Sequence, residues 1–323
     1  MQFTLQPYCP ALRPDWDALV EAARQGTFLF QRSFMDYHSA RFADCSLLFY
    51  AGDRRVVAAF PACRMGDAEV VSHAGLTYGG LLTLPSVGAA TVLDMYAALK
   101  AYYKQSGVSR LVVKPVPWIY HRYPAEEEQY ALFRQGAVLS ARAVSSVVDL
   151  SRPLPLSTLR RRCCRKAERT GLLSLQSTAD HLPAYWQLLT ETLAERHGVR
   201  PVHSLSEIQL LLSRHPSAIR LVTATKPVGD TVEVVAGCLL FLCPPTVHVQ
   251  YIAAGAEGRS SGALDLLFAR LIDHFAACQA EFRYFDFGIS TEEGGLRLNE
   301  GLLFQKEGFG GRAVCYDAYT LVL

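Results

Sequence analysis

Small residues and one arginine stand together in Ala256-Glu257-Gly258-Arg259-Ser260-Ser261-Gly262-Ala263-Leu264, directly after a strand-like run and at the start of a helical one. Such a segment lets backbone N–H groups and a helix N-terminus face a phosphate, so Arg259, Ser260, Ser261 and Gly262 are candidates for holding a phosphorylated donor. Asp286, set among Tyr284, Phe285 and Phe287, is a candidate general base, since burial makes a carboxylate more basic. His73 is a second candidate proton acceptor, in the glycine-bracketed segment Ser72-His73-Ala74-Gly75-Leu76-Thr77-Tyr78-Gly79-Gly80, where Tyr78 is a candidate contact. Lys306, near a helix end, suits a phosphate or carboxylate of an acceptor. Lys114, Tyr120 and Tyr123 lie in an aromatic, cationic loop that suits a sugar or nucleotide through stacking and charge. His203, Gln250 and Tyr251 fall where a cleft in the second half would open. Strand alternation lets only one of Gln250 and Tyr251 face it.

Each candidate has a plainer reading beside it: a glycine-containing helix start, a paired structural carboxylate, a turn histidine, a helix-end lysine, rings packed for bulk. The strongest charge cluster is Arg160-Arg161-Arg162-Cys163-Cys164-Arg165-Lys166-Ala167-Glu168-Arg169, with six cationic residues over ten positions. A helix from Leu159 to Gly171 would carry it, and Arg161 and Lys166 are candidates for gripping an anionic ligand. A solvated face is the alternative.

The elements that must position these residues come in two similar series. Strand-like runs at Ser46–Tyr50, Arg55–Pro61 and Glu69–His73 precede a helical stretch from Ser86 to Ser106, with Val92, Met95, Tyr96, Leu99 and Tyr103 at helical spacing. A strand at Arg110–Lys114, a helix from Glu126 to Gln135 and a strand to Leu150 follow. In the second half, strands at Arg220–Thr225, Val232–Leu242 and Thr246–Ala253 precede a helix carrying Leu264, Leu267, Phe268, Leu271 and Phe275. A strand at Arg283–Gly288, a helix from Gly295 to Lys306 and a closing strand to Leu323 complete it. Gly310 follows Gly136 at an offset of 174 (310 − 136), and Leu323 follows Leu150 at 173 (323 − 150), so the pattern predicts a duplication. Arg152–Leu156 reads as a linker, and Asp180 as the cap of a helix to His197.

The 323 residues suit two domains, 1–151 and 157–323, and their apolar half suffices for packed cores. A net charge of +2 excludes bulk polyanion binding and leaves only local clusters to serve it. Residues 1–17 lack a basic region followed by an apolar run, and no run of about 18 apolar residues occurs, so a cytoplasmic protein without membrane insertion is expected. Nine scattered cysteines without Cys-x-x-Cys spacing suggest reduced thiols and no metal site.

Several antiparallel strands, a helix, a strand, a helix and a last strand is the order found in GNAT (Gcn5-related acetyltransferase) domains. Arg259-x-x-Gly262 resembles their pyrophosphate loop, with Leu264 at a position that is small in the family. The C-terminal run Phe285-Asp286-Phe287-Gly288-Ile289-Ser290, Leu298-Asn299-x-Gly301-Leu302 and Phe304-Gln305-Lys306-Glu307-Gly308-Phe309-Gly310-Gly311 resembles FemAB-like proteins, with Gln305 as an insertion in a Phe-Lys-x-x-Phe-Gly-type motif. The chain also resembles GNAT proteins associated with bacterial surface-polysaccharide synthesis.

The resemblance implies an α/β (α+β mixed sheet) fold of two tandem GNAT-like domains, with Asn299 added to the candidate substrate contacts. It implies an N-acyltransferase moving an acyl group from a thioester such as acetyl-CoA, or another acyl-CoA, to an amino group. The acceptor is anionic, an amino sugar or nucleotide-linked sugar. Two alternatives stay open: aminoacyl transfer from aminoacyl-tRNA to a cell-wall precursor, and a non-catalytic binding protein with a degenerate donor site.

Overall fold

The computed structural model describes residues 2–52, 54–170 and 174–323. The fold is mixed α/β, and the chain divides into two compact units. The first comprises Met1–Val144, Thr291–Arg297 and Cys315–Leu323; the second comprises Ser145–Ser290 and Leu298–Val314. Each unit therefore includes a segment from the opposite half of the sequence.

In the first unit, helix Ala89–Gln105 buries Val92, Met95, Tyr96, Leu99 and Tyr103, the apolar positions expected from its spacing. They join Leu47, Phe49, Val57, Phe60 and Leu111 in one core. The helix starts at Ala89 because Gly88 is still extended. Strand Glu69–Val71 runs parallel to Arg110–Val113, which pairs on its other side with residues 319–322 of the last strand. Glu128, in the first turn of helix Glu127–Arg134, is buried and accepts hydrogen bonds from the Leu81 N–H (2.6 Å) and the Tyr96 hydroxyl. Burial pushes its carboxyl up to about 7.

In the second unit the strands lie in the order Ser174–Gln176, Ile219–Val228, Thr231–Cys243, Thr246–Ala254, Tyr284–Ile289 and then residues 145–149. Helix Ala263–Ala276 lays Leu267, Phe268 and Phe275 on this sheet. Phe268 meets Phe287 and Phe309 at centroid distances of 5.0 and 5.5 Å in edge-on contacts. Rings at such spacing add to the burial that holds helix and strand together.

Local chemistry shifted several boundaries. Asp180 does not cap the helix: Thr178 Oγ1 accepts the Asp180 N–H at 3.2 Å to cap a short 3-10 turn, Ala179–His181. Helix Leu182–His197 follows it, with His181 at its N-cap position, Pro183 in its first turn and no side-chain cap. Helix Leu205–Arg214 was not anticipated, although the Ser204/Glu207 capping box that opens it was legible. The expected helix from Gly295 begins only at Glu300, because Gly294 and Gly295 adopt left-handed backbone conformations and Asn299 Oδ1 accepts the Leu302 N–H at 3.0 Å. The basic helix spans Thr158–Thr170; Gly171, its expected end, lies outside the described residues.

The internal repeat is visible in the strand register. In the parallel pair of the first unit Arg110, Leu111 and Val112 face Glu69, Val70 and Val71; in that of the second, Tyr284, Phe285 and Asp286 face Thr246, Val247 and His248. The following strands are offset by 174 (284 − 110), the same offset as Gly136 and Gly310. Both glycines turn the chain in the left-handed region, at φ of 79° and 91°, just after a helix.

Candidate active site

Pairing between Thr246–Ala254 and Tyr284–Ile289 stops at His248 and Asp286, although the first strand continues for six more residues. Beyond that point the two strands part, and the main chain of 249–254 has no ladder partner on that side among the described residues. Unpaired strand edges carry N–H and C=O groups available to an extended ligand.

At the fork, His248 Nδ1 donates to Asp286 Oδ2 at 2.8 Å. Asp286 is fully buried, and its Oδ1 accepts the Gly288 N–H at 2.9 Å and the Ser145 hydroxyl. A carboxylate so held fixes the tautomer: with the proton on Nδ1, the neutral ring carries its lone pair on Nε2. His248 was missed in the sequence, where it stands in the apolar-flanked run Thr246-Val247-His248-Val249 without a motif. Only the parallel register opposite Asp286, which the folded structure supplies, gives it meaning.

Lys306 is buried beneath the same turn, donating from Nζ to Gly288 O (2.7 Å) and Ile289 O (2.8 Å). Burial pushes its ammonium down to about 8, partly opposed by the charge of Asp286. Asn299 caps the helix that carries Lys306 and donates its N–H to Ser290 O at 2.9 Å.

The ladder between Thr231–Cys243 and Thr246–Ala254 slips by one residue where Leu239 pairs with Tyr251 and Leu240 with Val249. Gln250 is the extra residue of this bulge, so the strict alternation expected for Gln250 and Tyr251 does not apply. Gln250 Oε1 is buried without a hydrogen-bond partner among the described residues. Tyr251 places its hydroxyl 2.6 Å from His203 Nδ1 and its ring edge-on to Trp186 at 5.3 Å. Burial raises the Tyr251 phenol above its ordinary pKa.

The expected phosphate segment is a short helix, Ala256–Ser261, stopped by Gly262 at φ of 80° before Ala263–Ala276 begins. Arg259 turns back, donating from Nη1 to Ala254 O at 2.6 Å. The hydroxyls of Ser260 and Ser261 donate to Glu257 O (3.1 Å) and Gly258 O (3.4 Å) in their own helix. A Cβ on Gly262 would lie 2.6 Å from Cys163 O, and Lys166 Nζ donates to Ser260 O at 2.6 Å. The basic helix is thus seated on this segment, and the Arg160–Asp265 ion pair (2.6 Å) fastens it to the following helix. Arg161 is exposed, with its Nη2 on Thr158 Oγ1 at 3.2 Å.

The remaining candidates belong to the first unit. His73 is buried at φ of 58°, and burial, reinforced by neighbouring His38, pushes its imidazole down to about 3. A base that weak carries no proton at neutral pH. Tyr78 and Tyr120 are buried against each other at 4.6 Å, and Tyr120 accepts from the Tyr316 hydroxyl at 2.9 Å. Lys114 Nζ donates to Leu76 O at 2.6 Å, with burial lowering it to about 8, while Tyr123 is exposed. Val71 and Val112 hold the register positions that His248 and Asp286 hold in the second unit. Among the described residues there is no group of three or more His, Cys, Asp and Glu suited to a metal, and no helix long and apolar enough to cross a membrane.

Residues 158–293 match the family described as Acetyltransferase (GNAT) domain. No protein of curated function matches the sequence. Among solved structures, FemX is similar over 100% of this chain and 98% of its own, at 10% identity and a TM-score of 0.73. The C-terminal domain of a putative lysylphosphatidylglycerol synthetase from Agrobacterium fabrum is similar over 95% and 92%, at 12% identity and 0.61. A tandem GNAT protein from the clavulanic acid biosynthesis pathway is similar over 99% and 98%, at 13% identity and 0.53. With a forked sheet in the second unit, a repeated strand register and a matching domain at 158–293, the second half of the chain carries a GNAT domain, and the chain as a whole has the FemAB-like tandem fold.

Proposed function

We propose that the second unit transfers an acyl group from an activated ester to an amine at the fork between Thr246–Ala254 and Tyr284–Ile289. The observation that carries this reading is the His248–Asp286 pair at the last register before the strands part. Nε2 of His248 takes the proton that the amine loses as the new C–N bond forms, while Asp286 orients the ring and steadies its cationic form. The carbon–sulfur or carbon–oxygen bond of the donor breaks, and the proton leaves with the thiol or hydroxyl. Unpaired N–H groups of 249–254 would polarise the acyl carbonyl. Gln250 Oε1 and the Tyr251–His203 pair would contact the acceptor, an amine of amino-sugar or nucleotide-linked type.

A coenzyme A thioester as donor is supported by the GNAT match over 158–293. One observation favours aminoacyl-tRNA instead: Cys163 O fills the space beside Gly262 and Lys166 caps Ser260 O, so packing takes up much of the expected phosphate segment. The two are separated by incubating the protein and a panel of amino-sugar acceptors with labelled acetyl-CoA or labelled aminoacyl-tRNA. Amide formation with one donor, lost in His248→Ala, supports the reading and selects the donor. Amide formation undiminished in His248→Ala would refute the role of the histidine, and no amide with either donor would leave a binding protein.

A further inference from the structure

The outward face of the basic helix and the surface around helix Glu300–Glu307 carry a combination that neither acyl transfer nor folding explains. Arg161, Arg165 and Arg169 recur every four residues and are all exposed, with exposed Arg162 beside them. The helix turns its other side inward through Cys164 and Ala167. This stripe sits on a chain whose net charge is only +2, so the positive charge is concentrated here.

Around it, apolar side chains are left in water: Phe304 is 63% exposed, Leu298 49%, Ile289 47%, Leu154 44% and Leu159 39%. Local contacts gather them. Leu154 packs against the Gly310 turn, the Ser157 N–H donates to Gly308 O at 2.8 Å, and Gly308 N–H donates to Phe304 O at 3.1 Å. Ile289 O receives the Lys306 ammonium, and Leu298 immediately precedes the Asn299 cap. The exposed acids on the two helices, Glu168, Glu300 and Glu307, are fewer than the four arginines, and Glu168 is paired with Arg270.

We propose that this face of the second unit docks on the surface of an anionic lipid bilayer, with the arginines at the headgroups and the leucines and Phe304 entering the headgroup–acyl boundary. Cationic stripes flanked by exposed aliphatic residues suit an interface that is charged on top and oily beneath. A nucleic-acid backbone would use the arginines and offer nothing to Leu154, Leu159 or Leu298. Docking itself does not depend on the proposed acyl transfer. Where that reading holds, the acceptor amine is one presented at a membrane surface, since Ile289 and Phe304 flank the turn that Lys306 braces.

The test is flotation of the purified protein with vesicles of phosphatidylcholine alone or mixed with phosphatidylglycerol, alongside tRNA binding by filter retention. Wild-type protein is expected to float only with the anionic vesicles, less so in high salt. Replacing Arg161, Arg165 and Arg169 together by Ala should weaken partitioning about a hundredfold, from roughly a factor of five per cation. Leu159→Ser with Phe304→Ser should weaken it as well, with circular dichroism showing an intact fold. His248→Ala should float like the wild type, so failure of the catalytic reading leaves this result standing. No partitioning of the wild type, partitioning indifferent to the arginines, or loss of tRNA binding alone in the arginine variant would overturn the proposal.

Discussion

His248 lies 2.8 Å from Asp286 at the last shared register of two parallel strands, and in the first unit valines 71 and 112 occupy the same two places. One copy of the repeat therefore carries a histidine–carboxylate pair where the other carries two valines. Chemistry at the fork should be confined to the second unit.

Asp286→Asn keeps the shape of the side chain and removes the charge that orients His248. Turnover is expected to fall by about 100-fold or more, with the substrate KM little changed, because the ring loses its tautomer and the support for its charged form. Equal losses in Asp286→Asn and a remote surface variant would count against the pair. Asp286→Ala should also destabilise the protein by about 3 kcal/mol in urea unfolding, since His248, Ser145 and the Gly288 N–H lose a buried partner together.

Lys306, held at about 8, is cationic at neutral pH and loses its proton as pH rises through that value. If the ammonium braces the Gly288–Ile289 turn during transfer, the rate should decline above pH 8. Lys306→Met should give a low rate that no longer varies across that limb. A wild-type profile flat to pH 9.5, about 1.5 units above the lysine's value, would dismiss the idea.

Glu128 predicts a pH dependence of folding. Its folded pKa of about 7 lies above the ordinary glutamate value of 4.5, so the stability it contributes is complete below the lower value and is lost as pH rises through the higher one. The loss amounts to up to about 3 kcal/mol. Thermal melts from pH 4.5 to 8.5 should show the decline in the wild type and a flatter curve in Glu128→Gln.

Gly262→Ala should lower stability by about 2 kcal/mol, because a side chain at φ of 80° is strained and its Cβ would press on Cys163 O. A bulky substitution there unseats the basic helix as well as any donor, so loss of ligand binding in such a variant cannot be assigned to the loop. Arg259→Ala is the better probe of donor binding, since its guanidinium donates to main chain at Ala254 O and anchors no other helix by that bond.

Much of the fold was legible because long periodic segments dominate it: Val92, Met95, Tyr96, Leu99 and Tyr103 specify one helix, and paired glycines at 136 and 310 mark the repeat. The site was less so. Asp286 was visible as an acid among aromatic residues, whereas His248 gains its meaning only from a parallel partner 38 residues away. Parallel register leaves no local trace in sequence, because the crossover helix and not a turn sets it. Gln250 was visible, but the bulge that frees it from alternation depends on how Leu239 and Leu240 pair. The arginine and glycine of the expected phosphate segment had the right types, and tertiary packing of the basic helix decided what surrounds them.

The ownership of the last strands reaches beyond the site. Residues 145–149 belong to the unit that contains the second half of the chain, and Cys315–Leu323 to the unit that contains the first. A gene cut between the two repeats would encode two fragments, each lacking one strand of its own sheet and carrying one that fits the other's. Expressed apart, such fragments would expose bare edges and aggregate; expressed together, they would have cause to reassemble. Each fragment would depend on the other for the strand that completes its sheet.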